Sequence, residues 1–221
     1  YTSTPFFAIP TALTHQTYYR IDSITWFNLD LLLQQLNTGL KDYSPSSIKF
    51  GIIKSYRWIT VILENIKRNI TNSISVVIDP IIKSTTSFPF HTVKPDILSI
   101  GYDKNKYDII LTPNVDEAKI LGEDENFEIA ASKLSTKFKV IVKGIRKNEY
   151  EITDFLFIDG KKQKEVSKRY LKEVRIRGRG CIFASLLACY LSRDYDIYMA
   201  MEKASIDTTE ILRTYSLKHC I

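Results

Sequence analysis

The chain has 221 residues, 44% of them hydrophobic and 25% charged, with a formal net charge of +6 and few Gly and Pro, which argues for a folded globular protein and against disorder. Its three cysteines lack paired or metal-type spacing, so we expect neither a disulfide framework nor a structural metal, and a reducing, cytoplasmic location. No apolar run approaches the roughly 20 residues that span a bilayer, so we expect no membrane partner.

Short apolar runs alternate with helical patterns along the chain. In order, we predict a strand-like run at 6–9 leading toward Leu13, a helix over 26–40, a strand at 48–53, a helix over 56–70, strands at 74–78 and 107–111, a helix over 127–138, a strand at 140–142, a hairpin of strands 155–158 and 165–176 about an Asp159-Gly160 turn, and helices over 181–192 and 197–212. Continuously apolar strands separated by helices favour an α/β fold, with a mostly parallel sheet covered on both faces and extended at one edge by the hairpin. We see no linker or repeat and predict a single domain over residues 1–221.

Polar residues follow several of these strands. They are Asp79 with Lys83, Asn114 with Glu117, and Lys143. Ligands of open parallel sheets bind beyond the carboxyl ends of the strands, so these side chains could line one crevice. Each also has a purely structural interpretation. Asp79 could start a turn, Asn114 and Glu117 fit a helix capping box, and Lys143 could be an ordinary strand exit.

A glycine-rich turn, Gly178-Arg179-Gly180-Cys181, precedes an apolar helical pattern. Such a turn presents free backbone N–H groups and the positive end of the helix dipole, which together bind phosphate or a developing anion. Cys181 would lie in the first turn of the helix, where a thiolate is stabilised. A tight connection without a ligand is the alternative interpretation.

The positive charge is concentrated just before this turn. Nine Lys or Arg and two Glu lie within residues 161–179, so the rest of the chain is close to neutral. The segment could form an electropositive wall for a nucleotide or phosphorylated substrate, or the solvated face of a hairpin. Binding of RNA through the Arg-Gly-Arg-Gly stretch is a remote alternative, and we expect no nucleic-acid partner.

Seven short motifs occur in a familiar order. They lie at residues 11–17, 49–52, 77–85, 111–118, 142–144, 153–156 and 178–181. This order resembles the hydroxymethylpyrimidine/phosphomethylpyrimidine kinases of thiamine biosynthesis, in the ribokinase-like superfamily, in register from about residue 6 to residue 212. The resemblance implies a three-layer αβα sandwich, a homodimer, and use of ATP and Mg²⁺. It also implies transfer of the ATP γ-phosphoryl group to 4-amino-5-hydroxymethyl-2-methylpyrimidine and then to its monophosphate.

The resemblance also implies roles for individual residues. Gly178, Gly180 and Cys181 match the family's Gly-Thr-Gly-Cys anion hole, with Cys181 as a possible base whose pKa would be lowered by Arg177 and Arg179. The remaining matches are Asn114 and Glu117 with an Asn-x-x-Glu motif that organises Mg²⁺ and phosphates, Asp79 with an acidic residue near the metal and phosphates, Lys143 with a nucleotide-side lysine, and Gln16 with a pyrimidine contact. Arg179 does not match the motif; it could pair with a nucleotide phosphate, or it could crowd the turn.

Several positions depart from the family pattern. Arg179 replaces a small hydroxyl residue, Arg177 replaces a frequent His, and Ile145 replaces a second glycine after Lys143. By the same resemblance, the sequence begins at the equivalent of the family's second strand, and it does not contain the family's opening strand or its pyrimidine-binding Asp-Pro-Ser-Gly-Gly-Ala-Gly segment. Two alternatives therefore stay open: a pyridoxal-type kinase, and a non-catalytic relative that binds nucleotide or phosphate.

Overall fold

A computed structural model describes residues 3–17, 19–84, 87–91, 95–171 and 178–219. Its strands are β1 (Ala12–Gln16), β2 (Ile21–Trp26), β3 (Ser47–Phe50), β4 (Ile74–Ile78), β5 (Tyr107–Leu111), β6 (Lys139–Arg146), β7 (Glu151–Ile158) and β8 (Lys161–Arg169). Its helices are α1 (Leu29–Asp42), α2 (Tyr56–Asn69), α3 (Val115–Gly122), α4 (Phe127–Ser135), α5 (Arg179–Leu191) and α6 (Ile197–His219), with one short 3-10 turn at Ile97–Ser99.

Six strands form the central sheet in the order β3-β4-β5-β6-β7-β8. The first four are parallel, and the β7–β8 hairpin adds two antiparallel strands at one edge. The predicted parallel neighbours β4, β5 and β6 and the edge hairpin are therefore confirmed. This order places the carboxyl ends of β4, β5 and β6 side by side.

Alternate residues of the buried strands pack on opposite faces of the sheet. Val76 and Ile78 pack with residues of α2, α3 and α4, whereas Val77 packs with residues of α5 and α6. A strand buried on both faces must be continuously apolar, which is why β4 and β5 are rich in β-branched residues. Two helical layers therefore enclose the sheet, and the three-layer αβα prediction is confirmed.

The first strands differ from the prediction. The run at residues 6–9 forms no strand; instead β1 and β2 pair antiparallel in a separate two-stranded sheet. Trp26 ends β2, and α1 begins only at Leu29. Asn28 is the N-cap of this helix, and its side chain accepts a hydrogen bond from the Leu31 N–H at 2.8 Å. A side-chain cap at Asn28 therefore fixes the helix start more strongly than the apolar spacing that began at Trp26.

The later elements also shift at their ends. Strand β8 starts directly after the Asp159-Gly160 turn and covers Lys161–Arg169, earlier than the predicted 165–176, whose residues 172–176 lie outside the described part of the chain. Helix α6 continues to His219, beyond the predicted end at residue 212. The interpretation of residues 1–221 as one domain stays a prediction. Among the described helices, we find none with the length and apolar character that crossing a membrane requires.

Candidate active site

Backbone hydrogen bonds join the four parallel strands β3, β4, β5 and β6 at one edge of the sheet. The N–H of Asp79, after β4, donates to the carbonyl of Phe50 at 2.9 Å, and the N–H of Thr112, after β5, donates to that of Ile78 at 2.9 Å. The Lys143 N–H donates to the Pro113 carbonyl at 2.9 Å. These bonds extend the sheet beyond its regular strands, so the polar residues that follow are held rigidly at one edge.

Lys143 forms an ion pair with Asp79 across that edge. The Asp79 side chain is 1% exposed and the Lys143 side chain 12% exposed. Gly144, at φ +74°, accompanies a register shift in the pairing of β6 with β7 at this point. Glycine tolerates this left-handed conformation without strain. Lys143 and Gly144 therefore form a bulge in β6 that carries a buried cation. The interpretation of Lys143 as an ordinary strand exit does not account for this ion pair.

Asn114 and Glu117 form the predicted capping box of α3. The Glu117 N–H donates to Asn114 Oδ1 at 2.9 Å, and the Asn114 N–H donates to Glu117 Oε2 at 2.8 Å. The Glu117 carboxylate is nevertheless buried and acts electrostatically on Asp79 and Lys143. Burial raises its pKa, and Lys143 opposes that rise. The structure therefore places the cap inside the crevice.

The first turn of α5 closes the opposite side of the crevice. Gly178 precedes the helix in the left-handed region at φ +80°, and no side-chain hydrogen bond from the described residues caps this terminus. A Cβ added to Gly180 would lie 2.9 Å from both Cε and Nζ of Lys143. Glycine at this position thus lets the helix terminus approach the lysine. Arg179 is the first helical residue, and no described contact fixes its guanidinium.

The expectation of a stabilised Cys181 thiolate is wrong. Burial and the neighbouring Asp79 carboxylate raise the pKa of this thiol to about 11, although Lys49 and Lys143 act in the opposite direction. The position at a helix start did suggest a low pKa, but the loss of solvation and a second negative charge outweigh the helix terminus. Arg177, the other expected cation, lies outside the described residues.

Two residues of the crevice were missed from the sequence. Lys49 in β3 acts electrostatically on Cys181, and its Nζ would lie 3.2 Å from a Cβ added to Gly51. Its position near the end of a parallel strand was a usable signal. Tyr56, the first residue of α2, is buried beside the carboxylates of Asp79 and Glu117. It matched the apolar face of a helix, so no pattern separated it from the core.

Gln16 is the predicted site residue that the structure does not bring to this crevice. It is exposed at the end of β1, where it pairs with Ile21 of β2. The two-stranded sheet is attached near the crevice because Thr11 Oγ1 donates to the carbonyl of Ile52, in the loop after β3, at 2.6 Å. The role of Gln16 stays a prediction.

The basic segment is partly neutralised within the fold. Lys164 donates to Glu202 of α6 at 2.7 Å, and Lys168 forms an ion pair with the fully buried carboxylate of Asp154 in β7. These pairs make part of the segment a structural connection between the edge strands and α6. The described lysines of β8 therefore support the hairpin interpretation better than an open electropositive wall.

Asp154 also connects the edge of the sheet to the crevice. Besides Lys168, its carboxylate accepts hydrogen bonds from the Ser205 hydroxyl of α6 and from the Gly144 N–H, the latter at 2.8 Å. Three donors on one buried carboxylate satisfy it well. The bulge that follows Lys143 is thus held by a side chain outside the crevice.

The carboxylates of the crevice fit a magnesium ion. Asp79 Oδ2 is buried and has no hydrogen-bond partner within the described residues, which leaves an oxygen available for a cation. Glu117 is the second carboxylate nearby, and the described residues contain no cluster of three potential His, Cys, Asp or Glu ligands. Mg²⁺ is commonly held by one or two carboxylates together with substrate phosphates and water, so two are sufficient.

Curated relatives resemble the chain over most of its length. It is 29% identical over 204 residues to a hydroxymethylpyrimidine/phosphomethylpyrimidine kinase of Saccharomyces cerevisiae, covering 85% of this chain but 36% of the yeast protein. It is 27% identical over 214 residues to the enzyme of that name from Aquifex aeolicus, covering 93% of this chain and 82% of the relative. The chain thus spans about a third of the yeast relative.

Solved structures share the fold. The phosphomethylpyrimidine kinase of Clostridium difficile matches 95% of this chain and 87% of its own, with a TM-score of 0.66 and 24% identity. The pyridoxal kinase of Staphylococcus aureus, in complex with pyridoxal, matches 92% and 75% with a TM-score of 0.72 and 22% identity. Both are ribokinase-like folds, as the sequence predicted. The family model for phosphomethylpyrimidine kinase matches residues 4–219, and the chain therefore belongs to the phosphomethylpyrimidine kinase family.

Proposed function

We propose that this chain transfers the γ-phosphoryl group of ATP to the hydroxymethyl group of 4-amino-5-hydroxymethyl-2-methylpyrimidine, and then a second phosphoryl group to the resulting monophosphate. The observation that carries the proposal is the approach of the α5 terminus to the Lys143–Asp79 ion pair, with Gly180 against the lysine side chain. This brings N–H donors, a cation and two carboxylates into one crevice of a kinase-family fold.

In the transfer, the acceptor oxygen forms a bond to the γ-phosphorus while the bond from that phosphorus to the β,γ-bridging oxygen breaks. Charge on the transferring group is spread over its equatorial oxygens, so catalysis depends mainly on alignment and electrostatic stabilisation. The free N–H groups at Gly178–Cys181 stabilise those oxygens from the helix terminus. Lys143 and Arg179 supply positive charge to the phosphates.

Asp79 and Glu117 are the residues that would hold Mg²⁺, which would neutralise phosphate charge when bound. Asn114 orients Glu117 through the capping box, and a backbone hydrogen bond from Ile82 also acts on this carboxylate, so its direction is fixed. Lys143 reduces the repulsion between these carboxylates and an incoming polyphosphate. Gln16 contacts the pyrimidine in this proposal, on the side of the two-stranded sheet.

Burial and the Asp79 carboxylate raise the pKa of the Cys181 thiol to about 11, which disfavours Cys181 as a preformed base in this environment. A loose transition state needs little help in removing the acceptor proton, which can pass late in the transfer to a non-bridging oxygen of the transferred phosphoryl group. We therefore assign Cys181 a role in packing and in presenting its backbone N–H. Cys181→Ala should lower turnover less than disruption of the glycine turn does.

A pair of single-methyl substitutions tests the anion hole in the full-length protein. In Gly180→Ala the new Cβ meets Lys143 at 2.9 Å, whereas in Gly101→Ala it meets only a Thr60 methyl group at 3.4 Å. We expect Gly180→Ala to lower kcat by about 10²-fold. The new methyl group would displace Lys143 or the helix terminus, and a misplacement of about 1 Å at a reacting centre can cost that much. Gly101→Ala should match the wild type.

The assay measures ATP-dependent phosphorylation of the pyrimidine alcohol, its monophosphate and pyridoxal. Preference for pyridoxal would support the alternative kinase, whose fold is equally similar. ATP binding without phosphorylation of any acceptor would support a non-catalytic relative. Equal rates for Gly180→Ala and Gly101→Ala would contradict the anion hole.

We also propose a homodimer located in the cytoplasm that acts on a small molecule and binds no nucleic acid. The support is the family resemblance and the cysteine content. Sedimentation equilibrium of the full-length protein tests the dimer, and a monomer at micromolar concentration would contradict it.

A further inference from the structure

Tyr56 presents a buried hydroxyl to the crevice. The side chain is 5% exposed and follows the N-cap Ser55, whose hydroxyl accepts a hydrogen bond from the Arg57 N–H at 3.3 Å. Within the described residues, the Tyr56 oxygen has no hydrogen-bond partner. Buried tyrosine hydroxyls usually find one, so this group points to a partner supplied by a ligand.

The surroundings of the hydroxyl are anionic. Burial raises the pKa of the phenol, and the carboxylates of Glu117 and Asp79 raise it further. The ring of His91 lies against the Tyr56 ring, with centroids 5.4 Å apart, which helps to fix its position.

A second polar atom beside Tyr56 also lacks a partner. Asp79 Oδ1 pairs with Lys143, whereas Oδ2 is buried with no hydrogen-bond partner among the described residues. Neither orphan atom satisfies the other directly. A hydrated cation would satisfy both, because the metal takes a carboxylate oxygen while one of its waters donates to a neighbouring hydroxyl.

We propose that Tyr56 is a positioning residue whose hydroxyl oxygen accepts a hydrogen bond from a water of the divalent cation held at Asp79. This inference rests on the proposed function for its cation, and it adds a residue outside the motifs that carry the family resemblance. Tyr56 would act on metal affinity and orientation and would not touch the transferring phosphoryl group.

Tyr56→Phe removes only the hydroxyl oxygen, and Tyr107→Phe is its matched control. Tyr107 is equally buried, but its hydroxyl donates to the Leu63 carbonyl at 2.6 Å. We expect Tyr56→Phe to weaken Mn²⁺ binding by about 10-fold, as loss of an outer-shell partner typically does. Its thermal midpoint should stay at or above that of the wild type. Tyr107→Phe should lower the thermal midpoint and leave Mn²⁺ affinity unchanged.

The measurement is a titration of the full-length protein with Mn²⁺ in the presence of ADP, in which electron paramagnetic resonance detects the free Mn²⁺ at each step. This readout requires no turnover, so failure of the proposed kinase activity is recorded separately with the acceptors. In a parallel rate assay, Tyr56→Phe should need about 10-fold more Mg²⁺ for half-maximal activity and regain the wild-type kcat at saturation.

Mn²⁺ affinities of Tyr56→Phe and wild type within about 2-fold would overturn the inference. So would an equal loss of affinity in Tyr107→Phe, because the effect would then follow from a weakened core. Absence of Mn²⁺ binding by the wild type with ADP would overturn it together with the metal assignment of Asp79.

Discussion

The buried ion pair between Lys168 and Asp154 gives a sharp prediction for stability. The two side chains are 10% and 0% exposed, and Lys168 sits among apolar groups, with Nζ 5.5 Å from the centroid of the Phe183 ring. Lys168→Met keeps the length and apolar stem of the side chain but leaves the Asp154 carboxylate without its cation. Loss of one partner of a buried pair typically costs about 3–5 kcal/mol.

Two neutral donors moderate that cost. The Ser205 hydroxyl and the Gly144 N–H still bond to Asp154, so we expect the lower end, about 3 kcal/mol. For a domain of this size, 1 kcal/mol shifts the thermal midpoint by about 2–4 °C, so the midpoint should fall by about 6–12 °C. Urea unfolding followed by circular dichroism measures the free energy directly.

Lys164→Met is the matched control on the same strand. Its pair with Glu202 is 26% and 53% exposed, and exposed pairs contribute about 0–1 kcal/mol. Equal unfolding free energies for the two variants, within about 1 kcal/mol, would refute the buried-pair reasoning. A second consequence separates the positions further: Lys168→Met should also lower kcat, because Asp154 holds the bulge that follows Lys143, whereas Lys164→Met should not.

Two further predictions concern the ionisable groups of the crevice. Because burial raises the pKa of Glu117, the unfolded chain loses this proton at lower pH than the folded chain, so the carboxylate destabilises the fold increasingly as pH rises above about 4.5. Glu117→Gln should therefore gain stability relative to wild type between acidic and neutral pH in urea titrations, and a pH-independent difference would contradict this. With a pKa of about 11, the Cys181 thiol should react with iodoacetamide slowly at pH 8 and much faster as the pH approaches 11, and Asp79→Asn should accelerate it. Peptide mass spectrometry measures the alkylation rate of Cys181 in the wild type and in Asp79→Asn. Rapid alkylation of the wild type at pH 7 would contradict the raised pKa of the thiol.

The parallel core was the most predictable part of the molecule. The bounds of β4 and β5 match the predicted 74–78 and 107–111, since a strand covered on both faces leaves an uninterrupted apolar run in the sequence. Their order along the sheet then brings Asp79 and Lys143 together. Strand-end polarity was a useful signal because parallel strands end at a common edge.

The electrostatics of the crevice could not be predicted in the same way. The pKa of Cys181 depends on Asp79, which is distant in sequence, and on burial that only the assembled fold creates. Tyr56 looked like one more large apolar residue on a helix face. The β1–β2 pairing depends on long-range contacts in a segment without continuous apolar runs, so local periodicity could not reveal it.

The three-donor environment of Asp154 has a consequence for how the protein is made. Ser205 lies 51 residues beyond Asp154 in the chain, and Lys168 lies 14 residues beyond it. During synthesis Lys143 emerges well before the residues that stabilise the neighbouring bulge. The nascent chain can therefore form its parallel strands and the Lys143–Asp79 ion pair early, whereas Asp154, which holds the neighbouring bulge, gains its Ser205 donor only when α6 docks. Completion of the bulge that follows Lys143 therefore depends on the synthesis and docking of α6, which makes this bulge one of the later local structures to become fixed.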